Sequence, residues 1–336
     1  MTRTVGVLGA GSWGTALAVH LARVGHDVRL WARDPALVRE MHLRRANAIY
    51  LPDVTLPQQL WVTESIELCV AETDLVVSAI PSKGCRTVLR AAAPHIRPRA
   101  TIVSAAKGLE TGSLRRMSEV VAEELGGDRP VVVLSGPSFA IEVAQQLPTA
   151  VLAASENTPA MEFVQAEFRS PYFRLYGSSD VIGVEIGGAL KNIIAIAAGV
   201  VEGLGLGHNA LAALITRGLA EVTRLACAAG ARRETLAGLS GLGDLVLTCT
   251  GSLSRNRHVG VELARGRELP DILAGMKMVA EGVPTTVAAL ALGKRHGVEL
   301  PIATQMAEVL AGRSDARTAV DALMLRRQRA EAESGN

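Results

Sequence analysis

The sequence predicts an α/β chain in two parts: a doubly wound parallel sheet in the first half, then an all-helical second half. Three observations carry this. Short β-branched runs alternate with helical stretches up to residue 178. A glycine turn, Gly9-Ala10-Gly11-Ser12-Trp13-Gly14, joins the first run to the first helical stretch. Beyond residue 180 the strand signal stops, and Ala, Leu and Gly recur at helical spacing.

The first strand is Thr4-Val5-Gly6-Val7-Leu8. The helix over 13–23 follows, with Ala16, Leu17, His20 and Leu21 on one face. Further strands are expected at 27–31, 60–62, 75–79, 101–104 and 131–134. Helices are expected between them at 35–45, 65–70, 83–93 and 114–125. Parallel strands are covered on both faces, so they should read as near-continuous apolar runs. Leu75-Val76-Val77 and Val131-Val132-Val133 do. A strand at 149–153, a helix at 159–168 and a strand at 172–176 extend the sheet. The second half reads as helices over 181–201, 209–229, 257–264, 283–296, 302–311 and 318–329. The boundary falls at 178–180, giving units of 1–179 and 180–336.

Composition sets the limits on function. At 336 residues the chain can build two cores. A net charge of +2 gives no case for nucleic acid or an anionic membrane, and 3% aromatics leave few platforms for stacking bases. The basic run Arg326-Arg327-Gln328-Arg329 reads as a solvated helix end. Four cysteines, Cys69, Cys85, Cys227 and Cys249, form no C-x-x-C pair and lie beside no His at metal-ligand spacing. They read as reduced thiols of a cytoplasmic protein with no bound metal. No signal peptide is expected before the first strand. The long apolar stretch 181–201 is interrupted by Glu185, Lys191 and Asn192, which favours a core helix over a membrane span.

The glycine turn carries the first functional expectation. Gly9 permits the tight turn, Gly11 lets backbone approach a pyrophosphate, and Gly14 lets helix and strand pack closely. N–H groups at the helix start then face the phosphates. Placed between a strand and a helix, the turn predicts a Rossmann-like dinucleotide-binding unit. A plain glycine-rich turn without ligand is the bland alternative. In this fold the second strand normally ends in an acid that holds the ribose hydroxyl of NAD. Here it ends in Arg33, followed by Asp34. A guanidinium favours a 2′-phosphate, so NADP is preferred, while NAD stays open because Arg33 can also stack on adenine. Alternatively Arg33 is a surface charge and Asp34-Pro35 caps the next helix.

Lys191 is the anomaly of the second half. Its stretch, Gly183 to Ile196, is apolar on nearly every face. Gly183 and Gly187, four apart, invite close approach of another backbone. A buried ammonium is costly unless paired or neutralised, and burial lowers its pKa towards the range useful for proton transfer. The alternatives are that Lys191 snorkels to the surface or pairs with Glu185.

These segments together resemble the bacterial NAD(P)-dependent glycerol-3-phosphate dehydrogenases. The resemblance runs through Gly9-Ala10-Gly11-Ser12-Trp13-Gly14-Thr15, Ala106-Lys107-Gly108-Leu109-Glu110, Leu134-Ser135-Gly136-Pro137-Ser138-Phe139-Ala140 and Gly188-Ala189-Leu190-Lys191-Asn192. It continues through Ala213-Leu214-Ile215-Thr216-Arg217-Gly218, Gly241-Leu242-Gly243-Asp244-Leu245, Thr248-Cys249-Thr250, Ser254-Arg255-Asn256-Arg257 and Val279-Ala280-Glu281-Gly282. It implies interconversion of dihydroxyacetone phosphate and sn-glycerol 3-phosphate with NADP or NAD, in the direction that feeds phospholipid synthesis. Lys191 is implied as the proton donor or acceptor at the C2 oxygen, Lys107 as helping to hold substrate and cofactor, and Asp244 as orienting the substrate hydroxyl or Lys191; all three are implied to be catalytic. Gly136, Ser138, Ser254, Arg255 and Asn256 would line the substrate site with them. Gly9, Gly11, Ser12, Trp13, Gly14, Arg33, Tyr50, Lys107, Ala140, Arg255, Val279 and Glu281 would line the cofactor site. His208 departs from the family pattern, which carries an acid or amide there. Apart from the resemblance, the apolar helical second half is compatible with a homodimer.

The residues support these roles separately. Ser254-Arg255-Asn256 just before the helix at 257–264 brings a hydroxyl, a guanidinium and an amide to a helix start, a reasonable phosphate cradle. An ordinary cap with a surface arginine is the alternative. Gly136 and Ser138 follow a strand, at the carboxyl edge where open α/β sheets bind ligands. Two other functions compete. A 3-hydroxyacid dehydrogenase would need no phosphate cradle, and it usually places Asn four residues after the lysine, where this chain has Ala195. A non-catalytic NAD(P) sensor would not need Lys191, Lys107 and Asp244 together.

Overall fold

The structure is a computed structural model and describes residues 2–126 and 128–328. The chain opens with β1 (Thr4–Leu8), α1 (Ser12–Val24), β2 (Asp27–Trp31) and α2 (Pro35–Arg44). A small hairpin that the sequence reading lacks follows, β3 (Ala46–Asn47) and β4 (Leu51–Thr55). The alternation resumes with β5 (Leu60–Thr63), α3 (Ile66–Val70), β6 (Leu75–Ser78), α4 (Ser82–Ala92) and β7 (Thr101–Ser104). Next come α5 (Met117–Leu125), β8 (Val131–Ser135), α6 (Ala140–Ala144), β9 (Thr149–Ala154), α7 (Thr158–Phe168) and β10 (Phe173–Ser178).

The main sheet has eight strands in the order β10-β9-β8-β7-β6-β1-β2-β5. The strands from β5 to β8 along this order are all parallel. β6 and β7 are buried at every position, as strands covered on both faces should be. One face buries Leu17, Val19, Val164 and Phe168 under α1 and α7; the other buries Cys85, Leu89, Val120 and Val121 under α4 and α5. The extension of the sheet departs from this parallel pattern at one pair. β9 runs antiparallel to β8, with Leu134 opposite Ala153, and β10 pairs parallel to β9. Parallel pairing requires a crossover back to the far end of the sheet. Between β8 and β9 the chain makes only the five-residue α6, so β9 starts where β8 ended.

His20 ties α1 to this extension. It is fully buried; Nε2 donates to the Phe168 carbonyl at 2.7 Å and Nδ1 accepts from the Tyr172 hydroxyl at 3.0 Å. Burial pushes its pKa down to about 4. The unfolded chain takes up this proton near pH 6.5, so the group's full contribution is present above that pH. The contribution is lost as pH falls through about 4. Between neutral and acid pH the loss is about 3 kcal/mol. Urea unfolding against pH should show it, and His20→Gln should flatten that part of the curve. An unchanged slope would contradict the assignment.

The second half is helical: α8 (Val181–Gly203), α9 (Gly207–Ala228), α10 (Arg233–Leu236), α11 (Asp244–Thr250), α12 (Arg255–Ala264), α13 (Leu269–Ala274), α14 (Gly282–His296), α15 (Pro301–Leu310) and α16 (Ala316–Met324). The short α10, α11 and α13 escaped the periodicity reading. α12 begins two residues earlier than expected because Ser254 is its cap, accepting the Arg257 N–H at 3.2 Å. α16 stops at Met324, and Arg329 lies outside the described residues. α8 is apolar and long enough to cross a membrane, yet 89% of its most apolar window is buried within the fold.

Glycines set how closely α8 is gripped. A Cβ on Gly260 would lie 1.9 Å from the Ile196 carbonyl oxygen, and one on Gly199 would lie 1.9 Å from that of Arg257. The backbones of α8 and α12 therefore touch. Gly260→Ala must push the helices apart, which should cost about 3 kcal/mol. An unchanged denaturation midpoint would contradict this contact.

Candidate active site

The glycine turn leaves β1 at the carboxyl edge of the sheet, between β6 and β2, where the strand order reverses. Gly9 has φ +109°, and a Cβ there would lie 2.9 Å from the Ala79 carbonyl oxygen. A Cβ on Gly11 would meet nothing within 4 Å, so the space over the turn is open. No side chain caps α1. Asn47, fully buried in the hairpin, braces the turn by donating to the Ala10 carbonyl and the Thr15 hydroxyl, each at 2.9 Å. An uncapped helix start under open space fits the pyrophosphate of a dinucleotide.

The other expected cofactor residues come from both halves of the chain. Trp13, Tyr50 and Ala140 are partly buried against one core. The Trp13 Nε1–H is buried with no partner among the described residues. Arg33 is exposed at the end of β2, and Asp34 caps α2 by accepting the Ala36 N–H at 2.9 Å. From the helical half, the 276–281 segment closes against the sheet edge. The Ser12 hydroxyl donates to Met278 Sδ at 2.8 Å. The Glu281 carboxylate accepts the Ser82 N–H at 3.0 Å and the Ser82 hydroxyl at 2.6 Å. Burial pushes the Glu281 carboxyl up. Val279 is exposed beside it.

The centre of the site is a carboxylate between two ammonium groups. Lys107 stands just past β7, and its Nζ donates to Asp244 Oδ2 at 2.7 Å and to the Gly136 carbonyl at 2.8 Å. Lys191, on α8, donates to Asp244 Oδ1 and to the Thr248 hydroxyl, the latter at 2.9 Å. Asp244 and Thr248 are one turn apart on α11, so both reach the same ammonium. The Thr248 hydroxyl in turn donates to the Asp244 carbonyl at 2.6 Å. Asp244 and Lys191 are buried, while Lys107 keeps 18% of its side chain exposed. Burial, reinforced by the like charge of Lys107, brings the Lys191 pKa down to about 7, against the pull of Asp244.

Local backbone demands put these groups together. Gly136 has φ +136°, and a Cβ there would lie 3.0 Å from Val151 Cα. The turn it makes aims its carbonyl at Lys107; the Ser138 hydroxyl donates to the same oxygen at 3.0 Å. On α8, a Cβ on Gly188 would lie 2.7 Å from the Ser135 hydroxyl, so the helix of Lys191 lies tight on the end of β8. Gly187 faces the Ser240 backbone, which realises the expected close approach. The expected Gly241–Asp244 turn is a wide helical one, with Gly243 N–H donating to the Gly238 carbonyl at 3.1 Å. It re-aims Asp244 at the lysines.

The geometry bears on two of the readings left open. Lys191 neither snorkels nor pairs with Glu185, which is six residues on the N-terminal side and so about 120° round the helix. Glu185 instead binds Arg116 and Ser118 of the first half. Of the expected phosphate cradle, Ser254 caps α12 as an acceptor, which leaves its hydroxyl hydrogen free to donate. Asn256 is buried, donating to the Asn192 side chain and accepting the Gly282 N–H, each at 2.9 Å. Arg255 is exposed and makes no ion pair among the described residues. Thr248 received no role in the sequence reading, although its spacing of four from Asp244 was a usable signal.

Comparison with known proteins identifies the family. The family profile for the NAD-dependent glycerol-3-phosphate dehydrogenase N-terminus matches residues 4–161, and that for the C-terminus matches 180–321. A glycerol-3-phosphate dehydrogenase [NAD(P)+] of Geobacter metallireducens is 54% identical over 278 residues, 81% of this chain and 82% of that protein. The crystal structure of glycerol-3-phosphate dehydrogenase from Coxiella burnetii superposes with a TM-score of 0.93 at 42% identity, covering 97% of this chain and 99% of that one. The yeast glycerol-3-phosphate dehydrogenase structure gives 0.80 at 27% identity, covering 96% and 99%. This chain therefore belongs to the NAD-dependent glycerol-3-phosphate dehydrogenase family.

Proposed function

We propose that the chain is an NAD(P)-dependent sn-glycerol-3-phosphate dehydrogenase. It reduces dihydroxyacetone phosphate to sn-glycerol 3-phosphate in the cytoplasm, supplying glycerophospholipid synthesis. Residues 1–179 form the cofactor unit and 180–336 the substrate unit. The observation that carries this reading is the buried Lys191, bonded to Asp244 and Thr248 at the same sheet edge as the open glycine turn.

When bound, the reduced nicotinamide supplies a hydride to the substrate's carbonyl carbon. The chain's own residues do the rest. Negative charge grows on the C2 oxygen; the Lys191 ammonium stabilises it and passes over its proton, completing the alcohol. Asp244 holds that ammonium on the reacting oxygen and anchors Lys107. Lys107, partly exposed, adds a second cation to the site. Arg255 offers an unpaired guanidinium to the substrate phosphate. The uncapped start of α1 holds the cofactor's pyrophosphate.

Arg33 supports NADP as the preferred cofactor, because the neighbouring acid is committed to capping α2. Losing a charge-assisted contact to a 2′-phosphate should lower the NADPH-over-NADH preference of Arg33→Ala at least about 10-fold. An unaltered ratio would remove Arg33 from cofactor choice. The function itself is tested by NADPH and NADH oxidation with dihydroxyacetone phosphate beside 2-oxo acids of similar size. Rapid oxidation with dihydroxyacetone phosphate alone is expected. Turnover confined to the oxo acids would favour a hydroxyacid dehydrogenase, and cofactor binding without turnover would favour a sensor.

A further inference from the structure

We propose that Glu185 is a positioning residue for this reaction, fixing the loop of Lys107 to the helix of Lys191. The proposal rests on the reading of Lys191 as proton donor.

Glu185 lies in the second turn of α8, its side chain 3% exposed. Its carboxylate reaches out of the helical half. It accepts the Ser118 N–H at 2.7 Å, the Ser118 hydroxyl at 2.5 Å and the Arg116 guanidinium at 2.8 Å. All its partners are in the first half, at the start of α5. A carboxylate there also faces the positive end of that helix. Apolar packing alone would need no such group. A buried charge is retained at a cost, and a common return is a fixed register between two elements.

The register fixed here is that of the catalytic groups. Arg116 pairs with Leu109 in an antiparallel bridge, and the Glu110 N–H donates to the Arg115 carbonyl at 2.9 Å. The strand-like pair therefore carries the grip of Glu185 back to within two residues of Lys107. Leu109 is itself buried in the helical core. On its outer side the loop is held by Arg86, which binds both oxygens of Glu110 at 2.7 Å. Lys191 lies on the same rigid helix as Glu185. The two lysines that share Asp244 are thus joined by two polar routes, one through Asp244 and one through Glu185, beside the apolar packing of Leu109. Breaking the second removes the polar anchor that sets the loop's register, so the Lys107 ammonium can shift away from Asp244.

The charged groups facing the Lys191 ammonium are Asp244 from α11 and Lys107 from the loop after β7. The Cys249 thiol, also on α11, is pushed up to about 12 by burial and stays neutral. If Lys107 withdraws, Lys191 loses a like charge that depresses its proton affinity. The alkaline limb of kcat/KM for dihydroxyacetone phosphate reduction then moves to higher pH. Plain loss of a nearby carboxylate charge would move it lower, so the direction separates positioning from electrostatics.

The test compares wild type with Glu185→Gln and Ser118→Ala, measuring kcat, the KM for NADPH, NADPH affinity and the alkaline limb. Glu185→Gln should lose about 10- to 100-fold in kcat, as expected for misplacing a catalytic group, with NADPH affinity little changed. Its limb should move to higher pH. Ser118→Ala, which keeps the backbone N–H bond, should show a smaller loss in the same direction; it decides the matter if Glu185→Gln does not fold. Folded variants with wild-type kcat and an unmoved limb would overturn the proposal, as would a limb moved to lower pH. If wild type itself has no alkaline limb, it is the proton-donor reading that fails.

Discussion

Lys191→Ala is expected to lower kcat for dihydroxyacetone phosphate reduction by on the order of 10⁴-fold while NADPH affinity changes little. Two effects vanish together, the proton donor and the cation opposite the developing alkoxide. The cofactor site should survive because none of its supports involves Lys191. The glycine turn is built from β1 and α1 and braced by Asn47. In the variant, Asp244 keeps its bond to Lys107. Lys191→Met, which retains the volume of the side chain, separates chemistry from any cavity effect. Full activity in either variant would remove Lys191 from the mechanism.

Asp244→Asn is expected to cost about 100-fold or more in kcat/KM at mildly alkaline pH, and less at acid pH. The carboxylate serves two ammonium groups, one on each oxygen. An amide has one acceptor oxygen, and its nitrogen faces a donor. One lysine must lose its partner, and both lose the counter-charge. Asp244 is the influence that raises the proton affinity of Lys191 against burial and Lys107. Without it the lysine deprotonates below its present value of about 7, so the alkaline limb should move to lower pH. A limb that stays in place would show that Asp244 does not govern the proton on Lys191. This shift is opposite in sign to that expected of Glu185→Gln.

What the sequence revealed follows a physical division. The glycine turn was legible because backbone geometry alone requires it: Gly9 at positive φ, Gly11 under open space. Lys191 was legible as a charge on an otherwise apolar helix. Its partner was not legible from spacing, since Asp244 lies on another helix and Glu185 is the nearer acid in sequence; only the family resemblance pointed to Asp244. Lys107 and Asp244 entered only through the family resemblance, because contacts between distant segments leave no local periodicity. Asn47 was hidden in a two-residue strand. The cradle at Ser254, Arg255 and Asn256 was read from residue type; the structure adds the cap and the helix-to-helix bridge that hold the Ser254 hydroxyl and the Asn256 amide in place, which residue type alone did not show. The reversed β9 was missed because a strand's apolar pattern is the same in either direction.

The measurement that tests the central claim most directly is the pH dependence of kcat/KM for dihydroxyacetone phosphate reduction by the wild-type enzyme. A buried Lys191 that donates the proton requires a rate that falls as pH rises past about 7. It also requires that fall to shift lower in Asp244→Asn. A rate that stays level through neutral and mildly alkaline pH, in both proteins, would contradict Lys191 as the proton donor.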